Sequence, residues 1–566
     1  MDGAHLRVSV AIAALTLLIS AGLMGAGAPA FGADANSDDE AVLTAHEADQ
    51  PGRIDYGYGI GVKPRAPSSI ASAAAVAAPA GAPSAGAEAK TLGLFGSPSG
   101  PGAFSWPIVP LHVALLPDGR VFNFGTTEDG KQGGFVYDVW DPAMGTGAAA
   151  HTTLPTIPNG RPLTDIFCAG QALIGTSKLL IAGGDLTIDG NRNHSIADAE
   201  IYDWSADQLL SAGQMAYPRW YPTVVPRPNG EMVILGGRQD FIPGTETEGI
   251  KGVGVLYPEV YAEGAGWRTL TTAGNDRAYG AKNWFYPRGF QGGNGKIVII
   301  ANTSGKMFYL DPTGTGTITG VAPGARPGGA QLPALMYRSG KILTVRQFQK
   351  VDLVDVNGKK PVITAGPDTD QVRFWANTTL MADGKVLLNG GSTVGNKDIG
   401  TAYKAQVWDP DQPAQWADAA VAQKMRLYHS TALLLPDATV LTAAGGAPGP
   451  VRNLNAEIYY PPYLYNSDGT AAARPTISVA PQTVGLGSAF QITVSEPVSR
   501  VTFLRIGSAT HSLNADQRFF DLAYSGGTQL TVTAPSNVNF ALPGYYMLFV
   551  FNQAGVPSVA KIMRLS

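Results

Sequence analysis

The segments 179-LLIAGGD-185, 232-MVILGGR-238 and 440-VLTAAGG-446 decide the fold of this chain. Each is a short apolar run that ends in a glycine doublet. Turn residues precede them, as in RPNGE before Met232. Related runs begin at residues 121, 297, 342 and 386, so seven units recur at intervals of 44 to 65 residues. Short apolar runs bounded by turn signals are typical of buried strands.

A repeat of this kind predicts a β-propeller. Units of about 50 residues that read as strand, tight turn and strand are typical of kelch-type propellers. The segments EIYDW (200–204) and QVWDP (406–410) fit outer strands of the blades. We therefore predict an all-β protein with a seven-bladed kelch-type β-propeller over residues 94–472.

The sequence changes character after the last repeat. The stretch 474-RPTISVAPQTVGLGSAFQITVSEP-497 alternates apolar and polar residues between turn signals. This pattern is typical of strands with one buried face. We predict a C-terminal immunoglobulin-like β-sandwich over residues 473–566.

The N-terminal residues carry export and linker signals. Arg7 precedes an apolar run from Val8 to Met24, and small residues follow, which is the pattern of a signal peptide over residues 1–33. The run is near the lower limit for spanning a bilayer of about 30 Å, so a retained anchor is the alternative to the cleavage that we favour. Residues 34–93 are rich in Ala, Pro and Ser and predict a linker. We expect a secreted or extracytoplasmic protein, held at a membrane or wall if the N-terminal segment is retained.

Composition excludes several classes of partner and cofactor. The 566 residues carry a formal net charge of -4 and no run of Lys or Arg, which argues against nucleic acid. No GxGxxG strand–helix unit is present to hold a nicotinamide or flavin. One cysteine cannot form an intrachain disulfide.

Reactive side chains recur at one position of the repeat. They lie 15 to 17 residues before the first glycine of the doublet, or before Ala301, which takes its place in the fourth unit; they are Cys168, Tyr221, Trp284, Tyr428 and His429. This position leads into the innermost strand of a blade, and innermost strands line the central channel. We therefore expect these side chains to converge at one end of the channel.

Three other histidines lie in the body of the chain. His112 begins the inner strand of the first unit, and we predict that it supports the site rather than binding metal. His151 and His194 are predicted to lie in loops.

Four strings carry a resemblance to a known family: DIFC (165–168), RWYP (219–222), LYHST (427–431) and THSLNADQR (510–518). They resemble the galactose oxidase and glyoxal oxidase family of copper radical oxidases, and RWYP is closer to glyoxal oxidases. The resemblance implies one copper ion, bound by Tyr221, Tyr428, His429 and His511. Two imidazoles and two phenols form a nitrogen and oxygen donor set that suits Cu(II).

The resemblance also implies a protein-derived cofactor. A thioether bond would join Cys168 to Tyr221, whose phenol would hold a radical. His511 would be delivered to the propeller by a hairpin of the C-terminal domain. Trp284 would stack on the cross-link, with ordinary packing as the alternative. Arg238 and Gln239 stand where galactose oxidases carry a stacking tryptophan.

The resemblance further implies oxidation of an alcohol or hydrated aldehyde, with O2 reduced to H2O2. We expect small aldehydes such as glyoxal, methylglyoxal or glycolaldehyde, taken up at an open mouth, with galactose or another primary alcohol as the alternative. A non-catalytic propeller that binds a glycan or protein is a second alternative. It would not need all five reactive residues together. We expect a monomer, with association to a cell-wall glycan as a further expectation.

Overall fold

The computed structural model describes residues 82–97, 102–131, 135–156, 164–188, 191–239 and 253–566. The predicted signal segment and most of the predicted linker lie outside these residues. The part of the linker range that is described includes a short helix, α1 (Ala89–Leu92), whose Ala89 is buried. No helix within these ranges is long and apolar enough to cross a membrane.

Nearly all regular structure is β-strand, which confirms the predicted all-β class. The N-terminal strands and blades 1 to 3 comprise β1 (Leu94–Gly96), β2 (Phe104–Ser105), β3 (Val109–Leu115), β4 (Val121–Thr126), β5 (Val136–Trp140), β6 (His151–Pro155), β7 (Gly170–Leu173), β8 (Leu179–Ala182), β9 (Asp185–Ile188), β10 (Asn191–Asp203), β11 (Gln208–Pro226), β12 (Met232–Gln239), β13 (Val253–Gly254), β14 (Glu259–Ala262) and β15 (Gly266–Thr269). His151 and His194 therefore lie in strands, and the loop prediction for both was wrong.

Blades 4 to 7 continue the repeat. A second short helix, α2 (Asp276–Tyr279), precedes them. Their strands are β16 (Arg288–Gln291), β17 (Ile297–Ile300), β18 (Met307–Asp311), β19 (Thr317–Val321), β20 (Ala334–Arg338), β21 (Lys341–Val345), β22 (Val351–Asp355), β23 (Val362–Ala365), β24 (Asn377–Leu380), β25 (Val386–Asn389), β26 (Lys404–Trp408), β27 (Trp416–Val421), β28 (Ser430–Leu434), β29 (Val440–Ala444) and β30 (Asn455–Tyr460). Short 3-10 turns occupy Pro142–Met144, Ala148–Ala150, Ala281–Asn283 and Pro462–Leu464.

The blades are antiparallel sheets that form a closed ring. Strand β11 serves two blades, because its first half pairs with β10 and its second half pairs with β12. The seventh blade is completed by the N-terminal strand β1, which pairs Leu94 with Tyr460. Joining the two ends of the propeller in one sheet leaves no open edge between the first and last blades.

The glycine doublets of the repeat have a steric cause. Gly236 and Gly237 have left-handed backbone angles, with φ of 61° and 78°. A Cβ on Gly236 would come within 2.6 Å of Pro287 in the next blade. The doublet therefore allows the second strand of one blade to end against the chain that enters the next blade.

The C-terminal unit is a sandwich of two sheets, as predicted. Its strands are β31 (Ile477–Val479), β32 (Thr483–Val484), β33 (Ala489–Val494), β34 (Val498–Arg505), β35 (Ser508–Thr510), β36 (Leu513–Asn514), β37 (Phe519–Asp521), β38 (Tyr524–Gly526), β39 (Gln529–Thr533), β40 (Gly544–Asn552) and β41 (Lys561–Leu565). Strands β35 and β36 form a hairpin that leaves the sandwich. This hairpin joins the inner strands of two blades, because β35 pairs with β3 and β36 pairs with β20.

Buried arginines fix the chain just before the innermost strand in three blades. Arg219, Arg373 and Arg426 each stand two residues before an aromatic side chain and donate to the carbonyl of Gly236, Gly390 and Ala444 respectively. Their carboxylate partners are Glu259, Asp370 and Glu457. These contacts hold the entrance of each inner strand against the end of the second strand in the same blade.

We expect Glu457→Ala to lower the free energy of unfolding by about 3–5 kcal/mol, because it leaves Arg426 charged and without its carboxylate. Burial lowers the pKa of Arg426 to about 10 although Glu457 raises it, so the side chain is protonated at neutral pH in the wild type. Glu457 also accepts hydrogen bonds from the backbone of Gln423 and Lys424. Urea denaturation of the wild type and the variant measures the difference in their free energy of unfolding.

The matched control is Asp418→Ala. It removes the partner of Lys404 in a solvent-exposed ion pair, so its effect should stay within about 1 kcal/mol. An equal loss in the two variants would contradict an anchoring role for Glu457.

Candidate metal centre

The chain adopts left-handed backbone angles where five blades meet the channel. The residues with positive φ are Cys168 (61°), Tyr221 (63°), Tyr286 (38°), Trp375 (66°) and His429 (67°). Such angles are unfavourable for non-glycine residues by about 1–3 kcal/mol each and occur often at functional sites. Backbone hydrogen bonds link neighbouring blades here, with Tyr221 N–H donating to Cys168 and Tyr286 N–H donating to Tyr221, both at 2.9 Å.

Five of the predicted site residues lie together. One donor atom from each of Cys168, His429 and His511 lies within 4.8 Å of the others. The hydroxyls of Tyr221 and Tyr428 are 2.5 Å apart. All five side chains are at most 1% exposed. The two phenols, two imidazoles and one thiol therefore share one enclosed space.

The C-terminal hairpin brings His511 into this space. His511 follows β35 directly and has a φ of 46°. Its ring lies 4.9 Å from the ring of His429 and 5.2 Å from that of Tyr221, measured between centroids. The two structural units thus build the site together.

Hydrogen bonds fix which nitrogen of His429 is available. Its Nδ1 lies 3.0 Å from the carbonyl of Gly446 and 2.9 Å from that of Ala447. Carbonyls only accept, so Nδ1 carries the hydrogen and Nε2 keeps a lone pair. Burial lowers the pKa of His429 to about 3, so the ring is neutral at physiological pH. A neutral imidazole with one oriented lone pair is suited to bind a metal.

The phenol of Tyr221 is held in its neutral form unless a cation compensates. Burial raises the pKa of Tyr221 well above its usual value, and the neighbouring Cys168 and Tyr428 raise it further. A bound dication would favour the phenolate instead. The donor chemistry, with two imidazoles, two phenols and no carboxylate in the cluster, therefore fits a copper ion.

Trp284 lies beside Tyr221, but it is not the ring nearest to it. The two ring centroids are 6.3 Å apart with an angle of 18° between planes. Trp220 lies closer, at 4.1 Å and 32°. The guanidinium of Arg238 covers both indoles, at 4.5 Å from Trp220 and 5.5 Å from Trp284. In the fourth blade Tyr286, rather than Trp284, takes the left-handed position.

Aromatic side chains enclose the cluster. Phe285 lies 4.4 Å from Tyr221, Trp375 lies 4.5 Å from Tyr428, and Phe167 lies 5.8 Å from His429. Each of these three rings is at most 5% exposed. The expectation of an open mouth was therefore wrong. The site lies below an aromatic layer because bulky residues occupy the same repeat position as the reactive ones.

Sequence reasoning did not identify Trp220, Phe285, Tyr286 or Trp375. The available signal was their place in the repeat, since each lies at or next to the entrance of an inner strand. His112 lies beneath the cluster, stacked on Phe124 at 4.1 Å and 5.6 Å from His511. It lies outside the group of possible metal ligands.

Comparison with known proteins shows which proteins this chain is similar to. Residues 474–565 match the model of the galactose oxidase-like, Early set domain. A galactose oxidase from Gibberella zeae is 29% identical over 505 residues, which span 81% of this chain and 69% of the relative. The aldehyde oxidase GLOX of Vitis pseudoreticulata is 26% identical over 515 residues, spanning 81% of this chain and 95% of the relative.

The chain is similar over most of its length to galactose oxidase and to aldehyde oxidase GLOX, and these similarities support the copper radical oxidase family. A solved fungal alcohol oxidase in complex with copper has the same fold, with a TM-score of 0.72 over 84% of this chain and 100% of that chain at 23% identity. These comparisons confirm the resemblance predicted from the sequence. The individual roles of Cys168, Tyr221, Tyr428, His429, His511 and Trp284 stay predictions.

Proposed function

We propose that this protein oxidises small hydrated aldehydes of the glyoxal, methylglyoxal or glycolaldehyde type and reduces O2 to H2O2. Its similarity to a galactose oxidase and an aldehyde oxidase supports a copper oxidoreductase. The observation that carries the proposal is the convergence of Cys168, Tyr221, Tyr428, His429 and His511 in one buried cluster. A binding module has no need for this set.

Four side chains would hold the copper ion: Tyr221, Tyr428, His429 and His511. When bound, copper supplies a one-electron acceptor and a Lewis acid, and an oxidised Tyr221 linked to Cys168 supplies the second electron acceptor. The reaction balances as hydrated aldehyde plus O2 giving carboxylic acid plus H2O2. No organic coenzyme is required.

The two phenols have different surroundings and would have different roles. Tyr428 lies against Trp375, and its proposed role is to accept the proton of the substrate hydroxyl. Tyr221 borders the thiol of Cys168, and its proposed role is to remove a hydrogen atom from the substrate carbon. Their hydroxyls are 2.5 Å apart, so both can reach one small substrate.

The aromatic layer supports a small substrate. Phe285 and Trp375 lie 5.9 Å apart between centroids, each against one of the two phenols. A two- or three-carbon hydrate needs less space beside these rings than a hexose does. The identity of 29% to a galactose oxidase keeps galactose or another primary alcohol as the second candidate.

We also propose that the protein acts outside the cytoplasm. The support is the apolar segment between Val8 and Met24 with small residues after it, which lies outside the described residues. Retention of this segment would hold the enzyme at a membrane, and the Ala- and Pro-rich residues after it would act as a spacer.

The substrate proposal predicts a clear order in a panel. Glyoxal, methylglyoxal and glycolaldehyde should each give kcat/KM values at least about tenfold above those of galactose and glycerol, since pocket contacts readily discriminate by one to a few kcal/mol. H2O2 release at matched substrate concentrations measures the order. Galactose exceeding all three aldehydes would overturn the aldehyde assignment and favour the second candidate.

A further inference from the structure

The hydroxyl of Thr510 lies between the C-terminal hairpin and the propeller. Its Oγ1 is 2.5 Å from Nδ1 of His511 and 3.1 Å from the carbonyl oxygen of Leu111 in β3. The Nε2 of His112 lies farther away, at 3.5 Å, and the phenol of Tyr286, whose own hydrogen goes to the carbonyl of Ala169, is a further neighbour of this hydroxyl. Thr510 is 6% exposed, so water has little access to replace these contacts.

A proton count assigns the direction of both short hydrogen bonds. A hydroxyl has one hydrogen to donate, and a carbonyl oxygen can only accept. The Thr510 hydrogen therefore goes to Leu111, and the oxygen of Thr510 accepts from His511. The Nδ1 of His511 then carries a hydrogen, which places the lone pair of the ring on Nε2.

We propose that Thr510 is a positioning residue that sets the tautomer and the direction of His511 for copper binding. This inference rests on the proposed function and deepens it. His429 obtains the same tautomer from two backbone carbonyls. His511 comes from the other structural unit, and a side-chain hydroxyl takes the place of those carbonyls.

The Oγ1 of Thr510 makes two contacts with different consequences. Strand β35 pairs with β3 so that Thr510 stands opposite His112. The same hydroxyl that orients the imidazole also bonds to the inner strand of the first blade. Docking of the hairpin and aiming of the ligand are therefore coupled, and the histidine is oriented only where the hairpin is seated.

Thr510→Val tests this role because it keeps the branched shape and removes the hydroxyl. We expect copper affinity to fall by about 10–100-fold, which is the range found when an outer partner of a metal ligand is lost. Thr510→Ser keeps the hydroxyl and should bind copper within about threefold of the wild type. Copper affinity is measured by competition with a chelator of known affinity, and Cu(II) electron paramagnetic resonance should show altered nitrogen coupling in the valine variant alone.

Thr502→Val is the matched control. Thr502 is also a buried threonine that donates across the boundary between sandwich and propeller, to the carbonyl of Ala382 at 2.9 Å. It contacts no predicted ligand in this bond. The control should therefore keep wild-type copper affinity and spectrum. Thr510→Ala repeats the comparison if the valine variant is not recovered folded.

Three outcomes would overturn the inference. The first is unchanged affinity and spectrum in Thr510→Val. The second is an equal loss in Thr510→Ser, and the third is an equal loss in Thr502→Val. Failure of the wild type to bind copper would instead contradict the proposed function. The experiment therefore distinguishes failure of the Thr510 inference from failure of the proposed function.

Discussion

His511→Ala is expected to lower copper affinity by more than about 100-fold. Loss of an outer partner already weakens metal binding by 10–100-fold, and this change removes a proposed ligand itself. The ring of His511 lies within 5.4 Å of the rings of Tyr221, Tyr428 and His429. The other histidine of the cluster, His429, is itself a proposed ligand and cannot replace it. Oxidase activity should fall with metal occupancy. Metal content after equilibration at limiting copper measures the effect.

The control for this variant is His194→Ala. His194 is half-buried in a strand of blade 2, pairs with Leu186, and lies outside the cluster of possible metal ligands in the described structure. It should bind one copper per chain like the wild type. Full occupancy of His511→Ala under the same limiting conditions would show that His511 is not a ligand.

Cys168→Ser is expected to lower kcat by at least about 100-fold, equivalent to roughly 2.7 kcal/mol of transition-state stabilisation. The sulfur is proposed to tune Tyr221 by donating electron density to its ring, and serine cannot form the thioether. Copper affinity should change little, because the proposed ligands are two phenols and two imidazoles. Steady-state H2O2 production and metal content separate the two effects.

Mass spectrometry tests the chemistry behind this variant. After aerobic copper loading, the wild-type chain should be about two hydrogens lighter than before, with one peptide joining Cys168 to a tyrosine. Both Tyr221 and Tyr286 lie beside the thiol, so the cross-linked peptide must be sequenced to distinguish them. The chain has a single cysteine, so alkylation reports on this thiol alone. A fully alkylatable Cys168 in fully active enzyme would refute the cross-link.

The fold could be predicted from sequence because each repeat unit carries the same local residue pattern. The glycine doublets are required where the second strand of a blade meets the next blade, as at Gly236, and they recur with the unit length. The same register placed Cys168 and Tyr221 in neighbouring blades at one end of the channel. His511 was reached through family resemblance alone, since no spacing within the propeller points to a hairpin from another unit.

Other features depended on packing that a one-dimensional pattern does not contain. Trp220, which directly precedes Tyr221, lies nearer to its ring than Trp284 does, and the fourth blade places Tyr286 rather than Trp284 at the left-handed position. The enclosure of the site follows from rings on different blades, such as Phe285 and Trp375. The contact of Thr510 with Leu111 joins residues about 400 positions apart in sequence. Local composition carries no information on such pairs.

The most direct test of copper radical oxidase activity is aerobic H2O2 release by metal-free and copper-loaded protein with glyoxal as substrate. We predict one copper per chain in the loaded protein, and equal amounts of acid and H2O2 formed. The metal-free protein should form neither. Equal turnover by the metal-free protein, or binding of one copper with no O2 consumed on any aldehyde or alcohol, would contradict this account.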